Sequence, residues 1–379
     1  MTGTGGLRYA RVGATSRFVV RPGRRESLNS QNSRGRIRVP FPKGGELMRV
    51  VVLVLVGVLA VVGCSSESDE EVIEARTPVV GPWLGQQPPG ATPSPFLATA
   101  LAERDTAWSP DGKQLSYSIF ERQRGTILTR SEGAEGWSDP EFAPFSGEFS
   151  ELEPFITHDG AWLYFISKRP RPGETEAGEW DMWRIPRTAE GLGEPEILPE
   201  PVNDEHKEFY PSLTTSGDLY FTSDRPGGLG GEDIWWAEWT GDGWADPKVL
   251  GPAVNSPGPE FNSLIAPDGS WLIFGSVREG DLGGGDMHIS FRGPDGEFLP
   301  AVNMGEPVNS TALDYCPALS PDGTIFFFTS SRVPEDHPEP ASFAELEELM
   351  TGPANGRDNI WWVSAEVIEV LRKQVVEAS

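Results

Sequence analysis

The sequence predicts an all-β protein: a five-bladed β-propeller of four-stranded antiparallel blades, with a six-bladed ring as the alternative. Three observations predict it. The 379 residues include 44 Gly, 35 Pro and 13 Trp, a composition rich in turn formers and aromatics. A tight turn of the Ser-Pro-Asp-Gly type recurs at residues 109–112, 157–160, 214–217, 266–269 and 320–323. Successive copies lie 48, 57, 52 and 54 residues apart, and such a period marks a propeller or another repeat array.

Each copy supplies its strands in one order. An apolar strand follows the turn, as in "WLYFIS", "DLYFTS" and "TIFFFTS". A polar loop leads to a second strand, such as "DMWRIPR", "DIWWAEW" or "NIWWVSA". Several copies then turn through Gly and Trp into a third, such as "PKVLGP", and the strand before the turn ("YPSLT", "CPALS") is the fourth. Four strands in about 50 residues make one blade.

The ends of the chain decide the blade count. The last copy has no outer strand and closes with "SAEVIEVLRKQVVEAS". That stretch reads as a helix over 366–379 with Val367, Ile368, Leu371 and Val375 on one face. The segment before the first turn, "PSPFLATALAERDTAW", aligns with an outer strand. It is expected to complete the final blade and remove the free sheet edge. The propeller therefore spans residues 95–365.

The stretch "MRVVVLVLVGVLAVVGCSS" reads as a signal peptide over 48–63, with a positive start and an apolar core too short to span a bilayer. Residues 1–47 are Arg-rich and read as no domain, so Met48 is the expected translation start. "VVGC" resembles a bacterial lipobox. The resemblance implies that Cys64 is lipidated and becomes the mature N-terminus, a stable membrane anchor when several chains are attached. Ser65 and Ser66, with no Asp, imply the outer membrane facing the periplasm. Residues 64–94, acidic and then Pro/Gly-rich, read as a flexible tether. Cys316 is then the only other cysteine, so no intrachain disulfide is expected, and its apolar strand predicts an inert buried thiol.

After residue 63 the chain carries 20 basic and 55 acidic residues. A surface this acidic repels phosphates and excludes a nucleic-acid partner. The four histidines, at 158, 206, 288 and 337, lack metal-ligand spacing. A monomer is expected.

The turns "SPDGTIFFFTSSR" and the strands of "SDRPGGLGGEDIW" resemble the WD-like repeats of the TolB propeller, also found in many bacterial envelope lipoproteins. The resemblance covers residues 95–365 and implies the fold and an envelope location. This chain shows no separate α/β domain, and it has one blade fewer, so TolB's partners do not carry over. It contains no G-x-S-x-G elbow either.

One repeat position could carry chemistry. Eight residues before the Asp of each turn, or Ser216 in its place, stand Glu103, Glu151, Glu208, Glu260 and Asp314. In a propeller such a ring could surround the channel and hold Ca²⁺ or another cationic ligand through oxygen. The structural alternative is pairing. Arg169, Arg225, Arg278 and Arg332 follow the turns, and the next strand opens with Asp181, Asp233, Asp286 and, in the last blade, Asp358. Acid–Arg–acid rows would then tie the loops together. The first blade lacks an aligned Arg, which makes Glu103 the least compensated acid.

Other features are weaker. Asn203, Asn255 and Asn309, each after a Val, are expected to bond backbone at the inter-blade turns. Most tryptophans are expected in blade packing, with Trp180 the candidate for stacking on a sugar. Residues 342–353, "SFAELEELMTGP", carry a capping box and an apolar stripe, and this helix is expected to pack on its own blade. Uniform repeats favour a non-enzymatic binding or scaffold module for an envelope protein or glycan. The rival readings are a glycoside hydrolase or lyase using channel carboxylates, and a polysaccharide-binding protein. An Arg-free carboxyl facing the channel would favour the enzyme, exposed rim aromatics a glycan, and an exposed apolar patch a protein.

Overall fold

The computed structural model describes residues 81–97, 99–334 and 340–376. The expected N-terminal extension, the signal peptide and Cys64 lie outside the described residues. Five antiparallel sheets form five blades. The inner strands are Glu103–Trp108, Glu151–Ile156, Glu208–Leu213, Glu260–Ile265 and Asp314–Leu319. Each contacts the inner strands of both neighbouring blades, and the fifth contacts the first, so the ring is closed.

Aromatic and β-branched residues fill the second strands because both faces of each sheet are covered. Leu219–Ser223, Trp271–Ser276 and Ile325–Ser330 are buried at every position. Their runs therefore show no polar alternation, as expected of strands packed on two sides. The third strands of blades 2 to 5 are Asp181–Thr188, Asp233–Ala237, Asp286–Phe291 and Asn359–Ser364. Blade 1 differs. Its strands Gln114–Glu121 and Arg124–Gly133 join through a two-residue turn at Arg122 and Gln123, both with positive φ. A turn with two positive φ values matches the twist of a hairpin and replaces the glycine loop of the other blades.

The N-terminal segment closes the fifth blade. Ser94–Pro95 pairs with the third strand there, Ser94 opposite Trp362 and Pro95 opposite Trp361. Phe96 seals the seam, with its ring 5.1 Å from Phe327 and 4.9 Å from Trp362. The expected tether boundary at residue 94 is corrected by the structure. From Gly81 onward the chain is docked: Trp83 meets Trp108 edge-on at 5.2 Å, Leu84 is buried, and Trp137 donates to the Gly81 carbonyl. Pro and Gly make the segment look like a linker, but its Trp, Leu and Phe bury against blades 5 and 1.

Two helices complete the described chain. Phe343–Thr351 is α1 and Glu366–Val376 is α2. In α2, Ile368 is buried, and Val367, Leu371 and Val375 pack on the core of blades 4 and 5. In α1, Ser342 caps the first turn by accepting from the Glu345 amide. The expected packing of α1 is not found. None of its residues is buried, and Phe343 is 78 % exposed. No described helix is long and apolar enough to cross a membrane.

Phe96→Ala removes the aromatic that joins the first and last blades. We expect a loss of about 3–5 kcal/mol in urea unfolding. A loss below about 1 kcal/mol would show that this segment does not hold the ring closed.

Candidate functional site

The five leading acids each open an inner strand and are fully buried (0 % exposed). They do not converge on one site. In blades 2 to 5 a serine lies opposite the acid in the sheet, Ser167, Ser223, Ser276 or Ser330. Two residues later an arginine turns back onto the acid. Arg169 reaches Glu151 at 3.4 Å, Arg225 reaches Glu208 at 2.8 Å, Arg278 reaches Glu260 at 2.9 Å and Arg332 reaches Asp314 at 2.5 Å. The same guanidinium donates to the carbonyl of Phe145, Val202, Val254 or Val308 in the segment arriving from the previous blade. It also lies over Phe165, Phe221, Phe274 or Phe328 at 5.0–5.3 Å. The arrangement is one clasp built four times. Among the described residues no three His, Cys, Asp or Glu side chains come together to hold a metal ion.

The expected acid–Arg–acid rows do not form. Asp181 pairs with Arg171 at 2.5 Å and not with Arg169. Asp233 accepts from the amides of Leu229 and Gly230, and Asp286 from those of Leu282 and Gly283. The glycine loops fold back, so their own amides reach these carboxylates first. The loops must be glycine-rich because they press on the next blade. A Cβ on Gly230 would lie 2.2 Å from the Gly258 carbonyl oxygen, and one on Gly283 1.9 Å from that of Ala312. In the last blade the register places Asn359, not Asp358, opposite Ser330. Asp358 instead accepts from the Tyr315 hydroxyl at 2.8 Å. Asn203, Asn255 and Asn309 bracket the third strands, bonding both amide and carbonyl of Met182, Ile234 and Met287.

Blade 1 has no clasp. Ile119 lies opposite Glu103, whose bonded partner is the Thr99 hydroxyl, and its Oε2 is buried without a partner. Burial pushes this carboxyl up to about 7, against the hydrogen bond from Thr99. Burial raises Glu208 as well, against Arg225.

A second ring escapes the sequence reading. Two residues after each acid, every inner strand bulges. The bulged residues Asp105, Glu153, Tyr210, Asn262 and Cys316 all have φ between 51° and 60°. This left-handed conformation is costly for non-glycine residues and clusters at functional sites. Here it turns five dissimilar side chains toward one another. Glu153 accepts from Arg104 at 3.0 Å, from the Tyr210 amide at 2.7 Å and from Asn262 at 3.2 Å. Arg104 also reaches Asp105 and the Cys316 sulfur, and lies 5.0 Å over the Tyr315 ring. The Tyr210 hydroxyl crosses to the Pro317 carbonyl. Burial raises Glu153 to about 7, against the pull of Arg104, and burial raises the Cys316 thiol.

Above this cluster opens a cavity of about 220 Å³, with Arg104, Glu153, Glu232, Asn262 and Tyr315 as its polar lining and Phe209 and Phe261 as apolar walls. It can offer a guanidinium, two carboxylates and an amide to one small polar group. Trp180, the expected stacking residue, is partly buried against the core with Lys168 5.0 Å from its ring centre.

Together these features describe a closed five-bladed propeller with a polar axial mouth. No family model matches the chain, and no curated protein matches it. Solved structures similar to it include two TolB proteins. One, from Agrobacterium tumefaciens, is 20 % identical over 61 % of this chain and 70 % of its own, with a TM-score of 0.41. The other, from Acinetobacter baumannii, is 16 % identical over 70 % of this chain, with a TM-score of 0.42; the match spans just over half, 57 %, of its length. A gluconolactonase from Xanthomonas campestris is 12 % identical over 73 % of this chain and 94 % of its own, with a TM-score of 0.38.

Two tests address the carboxylates. Arg225→Ala leaves Glu208 buried without its cation and is expected to cost about 3–5 kcal/mol, part of which Glu208→Gln restores in the double variant. Equal stability of the single variant and the wild type in urea would disprove the clasp. Glu103 supplies the second test. Its raised pKa means that the folded state binds the proton more tightly than the unfolded chain, so stability falls as pH rises from about 4.5 to about 7. Glu103→Gln should therefore raise the Tm at pH 8 and leave it nearly unchanged at pH 4.5. The same shift at both pH values would refute the assignment.

Proposed function

We propose that this protein is a non-enzymatic binding module of the bacterial cell envelope, which takes a polar group of a protein partner at its axial mouth. One observation carries the reading. Four of the five leading acids are committed to the same arginine clasp, whereas at the axial bulge all five residues differ. A repeat under purely structural constraint has no reason to vary its most strained position.

The carboxyls at the mouth do not form a catalytic pair: Glu232 lines it with no arginine bonded to it among the described residues, but its neighbour there is committed. Glu153 faces the mouth but is held by Arg104, Asn262 and a backbone amide. Asp105 beside it is buried and accepts from Arg104. A glycosidase pair needs one carboxyl free as acid and another free as base or nucleophile. In this reading Cys64 carries lipid and the segment before residue 81 spaces the propeller from the outer membrane, facing the periplasm.

A photo-crosslinking residue in place of Glu232 is expected to trap one discrete envelope component in cells, and Asn262→Trp, which fills the mouth, to abolish the capture. Hydrolysis of a polysaccharide, lost in Glu153→Gln, would replace the binding role with the enzymatic one.

A further inference from the structure

At the turn end of the blades, away from the axial mouth, a cavity of about 470 Å³ opens between blades 2 and 3. Its size falls within the roughly 300–1,000 Å³ of small-molecule sites. Four aromatic rings line it: Trp162, Tyr164, Trp239 and Trp244. We propose that this cavity is a saccharide-binding site for a short β-linked oligosaccharide. The inference is independent of the role given to the axial mouth.

The repeat is broken here. The third strands of blades 1 to 4 each run into a small hairpin, and in blades 2 to 4 one residue of it sits over the turn glycine. In blades 2 and 4 it is Arg187 and Arg292, opposite Leu192 and Phe298. Each arginine donates to the carbonyl of its turn glycine, Gly160 at 2.8 Å and Gly269 at 2.7 Å. In blade 1 the equivalent residue is Glu132, opposite Trp137. Blade 3 alone has a tryptophan at this place, Trp239 opposite Trp244. Trp244 takes over the bond to the glycine, its indole N–H donating to the Gly217 carbonyl at 3.0 Å. Trp239 is thereby released from that duty. The two turns that flank the cavity have also lost the proline of the others: His158 and Thr215 replace Pro110, Pro267 and Pro321.

The wall is rigid before any ligand arrives. The Trp239 and Trp244 rings meet edge-on at 4.9 Å, and Trp244 meets Tyr164 at 6.4 Å. Gly217 lies so close beneath Trp239 that a Cβ there would fall 3.0 Å from the indole. A preformed wall loses little side-chain entropy on binding. Trp162 and Trp239 are each only partly buried, and among the described residues neither indole N–H has a partner within the chain.

The chemistry of the lining selects the ligand class. The rim carries both charges, Arg184 and Asp159, together with the hydroxyl of Ser216. Arg184 is laid on Trp162 at 4.1 Å and tied to Glu196 at 3.3 Å, which fixes its donors at the cavity wall. An ion of either sign would meet a like charge. A lipid chain would strand the polar rim without partners. A β-linked pyranose has a flat C–H face for the indole and equatorial hydroxyls, both donors and acceptors, for the rim.

The test titrates the intact protein with cellobiose and N,N′-diacetylchitobiose, with α-linked maltose as the comparison, by calorimetry and saturation-transfer NMR. At least one β-linked disaccharide is expected to bind in the millimolar range or tighter, and maltose more weakly. Trp239→Ala should weaken binding about tenfold or more. Trp239→Arg restores the residue type of blades 2 and 4, so it is expected to fold, and it should weaken binding equally. Absence of binding by both disaccharides at about 10 mM would overturn the proposal. So would binding that survives both Trp239 variants, or binding that is lost only in Asn262→Trp.

Discussion

The buried carboxylate at the head of each inner strand is the contact on which the rest of the ring depends. It stands where one blade hands the chain to the next. In four blades a serine and an arginine close over it, and the arginine also holds a carbonyl of the incoming segment. A charge with no solvent access is tolerable only when paired and hydrogen-bonded. The clasp therefore joins three segments that hydrophobic packing alone would leave free to slide. A similar aromatic ring lies against each guanidinium, so the electrostatic and apolar parts of each blade are assembled together.

Below the clasp the inner strands cannot run straight. Each bulges two residues in, and the bulge turns one side chain onto the axis. A residue locked in the left-handed region is tolerated where the surroundings over-determine it, and here the clasp above and the sheet below hold it. The scaffold is therefore uniform where it must bear load and free to vary at the centre. The arginine at the axis, Arg104, comes from blade 1, the one blade without a clasp. Blade 1 thus departs from the repeat at both places.

Much of this was legible in the amino-acid order. The turn period, the missing outer strand of the last copy and its supply by the N-terminal segment all follow from counting. Strand identity followed from short aromatic runs bounded by glycine. The pairing of four leading acids with their arginines could be read because the arginine recurs 17 or 18 residues after the acid. What was not legible depends on register. A shift of one residue exchanged Asp358 for Asn359, and the backward fold of the glycine loops gave the third-strand acids to their own amides. Residues 81–93 read as tether because proline and glycine outweigh one buried and one partly buried apolar side chain, Leu84 and Trp83, in any local window. The stripe of α1 looked like a packing face, but periodicity shows only that a face exists, not that another surface meets it.

The chain order alone pointed to the architecture, because a repeat of about 50 residues with one strand missing at one end and one spare at the other closes into a ring when the two pair. Tertiary structure decided where chemistry can occur. The axial five and the aromatic cavity each gather residues 50 or more positions apart, such as Glu153 with Asn262 and Arg104 with Cys316. Neither set shares a motif, since only the bulge that turns a side chain inward, or the gap left between two blades, brings its members together.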